Sequence, residues 1–238
     1  MQLALTVIIV ALGAVALLRL GSWSRGSGRG YVSAQWRYQP ASLAVAALAV
    51  WLCSVVVPDH ADVLGWGTPD APASGLAWLG VVNGDSWASV GITFLVIMTI
   101  VTTVVVYLQM GRGVRPRAFA RALPLAVIFA IVNSLAEELI FRVTVVQSFS
   151  PFWGQMAVAI LAAALFGLPH WFGVPGRIPG MILAAFMGYF LALSVMQTQG
   201  IAWAWGIHAA QDVVIMMMLI GRDRAEQESL PETQKVLS

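Results

Sequence analysis

Seven stretches of this chain are apolar for about twenty residues at a time, roughly 2–20, 41–57, 86–109, 122–149, 154–172, 178–197 and 200–220. A helix of ~20 apolar residues spans the hydrocarbon of a bilayer, so runs of this length predict transmembrane helices. The composition agrees. The chain is 59% hydrophobic and 10% charged, whereas a soluble domain is about a quarter charged. Intrinsic disorder needs the opposite balance, low hydrophobicity and high charge. The expectation is an all-α polytopic membrane bundle of about seven helices. It forms one domain over 1–221, with a motif-bearing core at 122–220 and a polar tail at 222–238.

The remaining bulk features exclude more than they suggest. A net charge of +2 is too small to argue for nucleic acid, and the charges flank apolar runs instead of forming one basic face. Cys53 is the single cysteine, so it has neither a disulfide partner nor a CxxC zinc pattern. No internal repeat is visible. Gly21–Gly30, rich in Gly, Ser and Arg, reads as a loop. The first apolar run has its arginines after it, which predicts a retained anchor over a cleaved signal.

Charge also predicts topology. Arg19, Arg25, Arg29, Arg37, Arg112, Arg115, Arg117, Arg121, Arg177, Arg222, Arg224 and Lys235 all fall on one side of a seven-span arrangement. The second loop, on the other side, holds Asp59, Asp62, Asp70 and Asp85 without a Lys or Arg. By the positive-inside rule the N-terminus is outside and the C-terminus cytoplasmic, as in a bacterial plasma membrane protein. Trp66, Trp78, Trp87, Trp153, Trp203 and Trp205 then lie near the outer interface, as an aromatic belt would.

One basic residue, Arg142, escapes the loops and sits inside span four. A charge in hydrocarbon costs ~2.5–3.5 kcal/mol even on insertion scales, so the intramembrane polar set marks the place to look. It comprises Glu137, Glu138 and Arg142 in span four, His170 at the end of span five, and His208 and Asp212 in span seven. His60 reads as solvated loop surface. Glu138 and Arg142 are i, i+4 and can pair. Glu137 lies about 100° round the helix and faces a different neighbour. Phe166 and His170 share the i, i+4 spacing, as do His208 and Asp212. Carboxylates and imidazoles converging from three helices suit water activation, with or without a metal. The same residues also suit helix–helix glue or a proton path. Met216–Met218 reads as lipid-facing or core filling. No HExxH and no GxSxG occurs, and the Gly84–Asp85 pair lies in a loop outside the spans.

Three motifs in order carry a family resemblance. Glu137-Glu138-Leu-Ile-Phe-Arg142 matches EExxxR, Phe166-Gly-Leu-Pro-His170 matches FxxxH, and His208-Ala-Ala-Gln-Asp212 matches HxxxN/D. Over about 85 residues, Ser134 to Ile220, the chain resembles the CAAX protease and bacteriocin-processing (CPBP, or Abi) family of intramembrane endopeptidases. The first three spans match no named pattern. The resemblance implies that Glu137 activates water, sharing it with His170, while Glu138 pairs with Arg142. His208 and Asp212 would orient the peptide carbonyl and stabilise the oxyanion. The substrate would be a membrane-associated peptide or protein, lipidated or not. The resemblance leaves open a metal-free glutamate protease or a Zn2+ enzyme. In the latter, Glu137, His170, His208 and Asp212 are the candidate ligands, enough for a catalytic zinc with an open position.

The last motif usually ends in Asn, and here Asp212 stands in its place. An ionised carboxylate only accepts hydrogen bonds, so Asp212 acts as an oxyanion donor only when protonated. Burial favours that neutral form; the alternatives are a metal ligand or a partner that fixes the His208 tautomer. The site is expected in the cytoplasmic half of the membrane, opening inward. The rival readings are a non-catalytic scaffold or bacteriocin-immunity protein, and, third, a proton- or ion-coupled transporter. The absence of a visible repeat counts against transport.

Overall fold

The computed structural model describes residues 1–25, 30–57, 62–82, 84–110, 116–174 and 176–229. Asp59, His60, Arg29, Arg112, Arg115 and Lys235, with the side chain of Arg25, lie outside them. Among the described residues the fold is all-helical, apart from one isolated bridge between Pro72 and Ser86. The helices are α1 (Gln2–Arg25), α2 (Tyr31–Val56), α3 (Trp87–Met110), α4 (Pro116–Glu138), α5 (Val145–Phe149), α6 (Gln155–Gly167), α7 (Arg177–Thr198) and α8 (Ala202–Ser229). A π-helical segment, Leu139–Thr144, joins α4 to α5, and a 3-10 segment, Leu168–Phe172, extends α6. Seven of the resulting helical stretches are long and apolar enough to cross a membrane. The protein is an integral membrane protein on that ground.

Several boundaries differ from the sequence reading, and α4 begins at Pro116, about six residues early. Helix α2 begins at Tyr31, about ten residues early, and contains Pro40. Residues 31–40 are polar enough to read as loop, but they pack. Trp36 meets Phe129 edge-on at 5.0 Å, and Asp223 accepts the Tyr31 backbone N–H at 3.0 Å. Arg37 is therefore a residue of the helix, not of the loop before it. The Gly21–Arg25 part of the expected loop continues α1. Helix α8 runs on to Ser229 past Gly221, and Arg224 donates to the Arg121 carbonyl at 2.9 Å.

The bundle is organised around α8. Its most extensive pairing is with α4, and α3 packs on it as well. Gln211 of α8 donates to Thr99 at 3.1 Å and accepts from Thr102 at 2.6 Å. Without water in the surroundings, such interhelical bonds and close small-residue contacts take over from the hydrophobic effect. Helices α6 and α7 show the second device. A Cβ on Gly167 would lie 2.7 Å from the Ala185 Cβ, and one on Gly188 would lie 2.9 Å from the Ala163 Cα. Met216 and Met218 are buried, Met216 beside Ala122, Ala126 and Phe129, so part of the methionine cluster fills core.

The segment between α2 and α3 is a folded cap over one end of the bundle. Gly67 adopts a left-handed φ of 65° and passes so close to the α7–α8 turn that a Cβ there would sit 2.2 Å from the Thr198 carbonyl oxygen. Thr68 N–H donates to that oxygen at 2.7 Å, and Ile201 N–H donates to the Gly65 carbonyl at 2.9 Å. Gln197 accepts from Ser74 N–H and from the Trp87 indole, at 2.9 and 3.0 Å. Val63, Ala73 and Leu76 bury under this cap. Trp66 and Trp78 are exposed, as a belt requires, but Trp87 is fully buried against Phe190. The Gln197 acceptor explains that correction, because it satisfies the indole N–H in the interior.

Candidate functional site

The site forms where α4 faces α8, with the end of α6 as its third wall. Helix α4 carries Glu137 and Glu138 in its last turn, and the π-helical segment that follows carries Arg142. Single π turns inside α-helices are frequent at functional sites because they re-aim the side chains on either side. The whole segment Leu139–Thr144 is buried.

His208 is the hub. Its Nδ1 lies 2.7 Å from Glu138 Oε1. Its Nε2 lies 3.7 Å from Glu137 Oε2 and 3.6 Å from Asp212 Oδ1. The sequence reading sent Glu137 and Glu138 to different neighbours. They reach the same imidazole instead, from its two nitrogen edges, because the ring inserts between them. Glu138 also holds Arg142 Nη1 at 3.1 Å, the pair expected from the i, i+4 spacing. Both members of that pair are fully buried. The Arg142 Cζ stands 3.8 Å above the centre of the Phe166 ring. Its nitrogens have no aligned hydrogen-bond acceptor among the described residues. Charge and the ring face hold the guanidinium in place.

These contacts settle hydrogen positions by elimination. A carboxylate paired with Arg142 accepts only, so the His208 hydrogen sits on Nδ1 and Nε2 is the edge left to exchange a proton. His170 is fixed similarly. Its Nδ1 lies 2.6 Å from the Phe166 carbonyl, which accepts only. The Phe166 ring contacts both histidines, with centroid separations of 4.5 Å to His170 and 5.3 Å to His208. The 3-10 turn after Gly167 folds His170 back against Phe166.

Glu137, Glu138, Arg142, His208 and Asp212 are thus in direct contact, and His170 joins them through Phe166. Among the described residues, no group of three or more His, Cys, Asp and Glu side chains stands as a metal-binding set. The four candidate ligands do not converge as a coordination sphere in this arrangement.

One residue of the site escaped sequence reasoning. Asn133 Nδ2 donates to Glu137 Oε1 at 3.1 Å and to Asp212 Oδ2 at 2.9 Å. Its i, i+4 spacing from Glu137 was the available signal, but an uncharged amide in a membrane span raises no alarm. Asp212 thus accepts at Oδ2, which leaves Oδ1, the oxygen turned toward His208, for the donor role that the sequence reading favoured. Exposure rises across the cluster, from none at Glu138 and Arg142 to 11% at the Asp212 side chain and 17% at Glu137. Access is on the Glu137 side. Gln211, one turn beyond Ile207, meets α3 near its midpoint at Thr99 and Thr102. His208 and Asp212 therefore lie at about the level of the α3 midpoint.

Residues 119–214 match the family model described as Rce1-like, Type II CAAX prenyl endopeptidase Rce1-like. No curated protein and no solved structure matches the chain. The matched segment takes in α4, the π turn, α6, α7 and α8 through Asp212, which are the elements that build the site. That segment is similar to the CAAX protease family, in agreement with the three motifs.

Proposed function

We propose that this protein is an intramembrane endopeptidase that hydrolyses a peptide bond of a membrane-bound or lipidated peptide, with Glu137 activating the water. The observation that carries the reading is the contact between Glu137 and His208. The accessible carboxylate and Asp212 share the Nε2 edge of an imidazole whose other edge is anchored by buried Glu138. A separation of 3.7 Å is too long for a direct hydrogen bond, and a water held by both groups would sit beside that line, on the accessible Glu137 side. The family match supports peptidase chemistry at a membrane.

The steps follow from these positions. Glu137 takes a proton from water as its oxygen attacks the carbonyl carbon of the peptide. The resulting oxyanion accepts a hydrogen bond from His208 when Nε2 carries a proton, and Glu138 keeps that ring oriented through Nδ1. Glu137 then returns its proton to the leaving amine as the C–N bond breaks. His170, with its hydrogen held at Nδ1, offers Nε2 as the second acceptor for the water. No step is assigned to a metal, because the donors do not stand as a coordination sphere.

The test uses the full-length protein in nanodiscs with a quenched-fluorescent farnesylated peptide and its unlipidated counterpart. Wild type should cleave the lipidated probe, and Glu137→Gln should lose at least ~100-fold in kcat, the range of a general base, while keeping its unfolding midpoint. Unchanged cleavage by Glu137→Gln would remove Glu137 from the mechanism. A wild type that cleaves neither peptide would point to a scaffold or immunity role.

A further inference from the structure

We propose that Asn133 is a positioning residue for this reaction, an amide clamp that holds Glu137 and Asp212 as a matched pair around His208. The inference rests on the role given to Glu137 above. Two carboxylates from different helices turn one oxygen each toward His208 Nε2, at 3.7 and 3.6 Å. They turn their other oxygen to the same atom, Asn133 Nδ2, at 3.1 and 2.9 Å. Like charges sharing a site repel, and neither carboxylate, when ionised, has a hydrogen to offer the other. A carboxamide nitrogen carries two hydrogens, one for each. The two carboxylates are thereby hydrogen-bonded through Asn133 on one side and face His208 Nε2 on the other.

The opposite amide orientation would aim the Asn133 carbonyl oxygen at two acceptors, so the chemistry of the neighbours fixes which end faces them. Asn133 sits one helical turn before Glu137 on α4, while Asp212 comes from α8. The clamp therefore ties the base to the opposite helix. Both Nδ2 hydrogens are spent on carboxylates, which leaves none for substrate. Its loss should act on kcat and spare KM.

The experiment measures peptide cleavage and unfolding midpoints in nanodiscs for N133A, N133D, D212A, D212N, N133A/D212A and N133D/D212N, with the same farnesylated probe. N133A should lower kcat by about 10- to 100-fold, the effect of misplacing a reacting group by about 1 Å, with KM within about twofold. N133D should fall further, since it puts three carboxylates together with no amide. N133D/D212N returns an amide-to-carboxylate bond across the two helices but leaves Glu137 facing a carboxylate, so it should regain unfolding midpoint over N133D while kcat stays low, a split that a merely structural asparagine would not show. The unfolding midpoints of N133A, D212A and N133A/D212A should be non-additive, as for residues in contact. A wild-type kcat in N133A, or a double exchange no more stable than N133D, would overturn the clamp. If wild type cleaves no probe, the peptidase reading falls by itself. The midpoint cycle then still decides the clamp, and additive midpoints refute it.

Discussion

Replacing Arg142 by methionine tests how the buried charges of the site are balanced. The guanidinium and the Glu138 carboxylate are both fully buried, 3.1 Å apart. Removing one partner of such a pair strands the other charge and typically costs ~3–5 kcal/mol. The contact with the Phe166 ring at 3.8 Å adds ~0.5–2 kcal/mol, the range for a cation over an aromatic face. Arg142→Met should therefore lose at least ~3 kcal/mol, because methionine fills the space but brings no charge. Adding Glu138→Gln removes the stranded charge and still offers His208 an acceptor. Replacing both members of a buried pair is often near neutral, so the double variant should lose only about the ring term, ~1–2 kcal/mol. Unfolding in mixed micelles by SDS titration, followed by tryptophan fluorescence, reads both. A loss below ~1 kcal/mol in Arg142→Met would refute the charge-balance argument. So would a double variant that loses as much as the single one, since packing would then be the cause.

Three further outcomes follow from the same geometry. Glu138→Gln alone should lower kcat by ~10²-fold or more, by analogy with other histidines that lose the carboxylate fixing their tautomer; wild-type kcat would show that the 2.7 Å contact does not orient His208. Asp212→Asn should retain at least ~10-fold more activity than Asp212→Ala, because the amide oxygen still accepts from Asn133, while the metal content of purified protein and its activity after chelation stay at the wild-type level. Activity lost on chelation and restored by zinc would bring back the metal route. A single cysteine placed at Ser74, in a Cys53→Ser background, should react with an impermeant maleimide from outside intact cells; reaction only from the cytoplasmic side would invert the topology drawn from the arginines.

The spans and the charged part of the site were legible in the sequence because charge in hydrocarbon is costly and therefore rare. Glu138, Arg142, His208 and Asp212 stand out for that reason, and their helical spacing pairs them correctly. What stayed hidden involves residues without such a penalty or contacts without a local signature. Asn133 is neutral. The π turn over Leu139–Thr144 contains no glycine or proline to announce it. The first two turns of α2 look like loop because Ser33, Gln35, Arg37 and Gln39 are polar, and only their packing against α4 and α8 shows otherwise. The cap reads locally as an acidic, glycine- and proline-rich loop. Its order comes from bonds to residues more than a hundred positions away, such as Ser74 with Gln197.

That cap closes the end of the bundle where α7 turns into α8, through the backbone bonds of Gly65 and Thr68. From His208 back to the start of α8 at Ala202 is ~9 Å at 1.5 Å per residue, which an extended strand covers in about three residues. Under the proposed peptidase activity, that distance would bound how many residues a substrate could carry past the cut bond toward the cap.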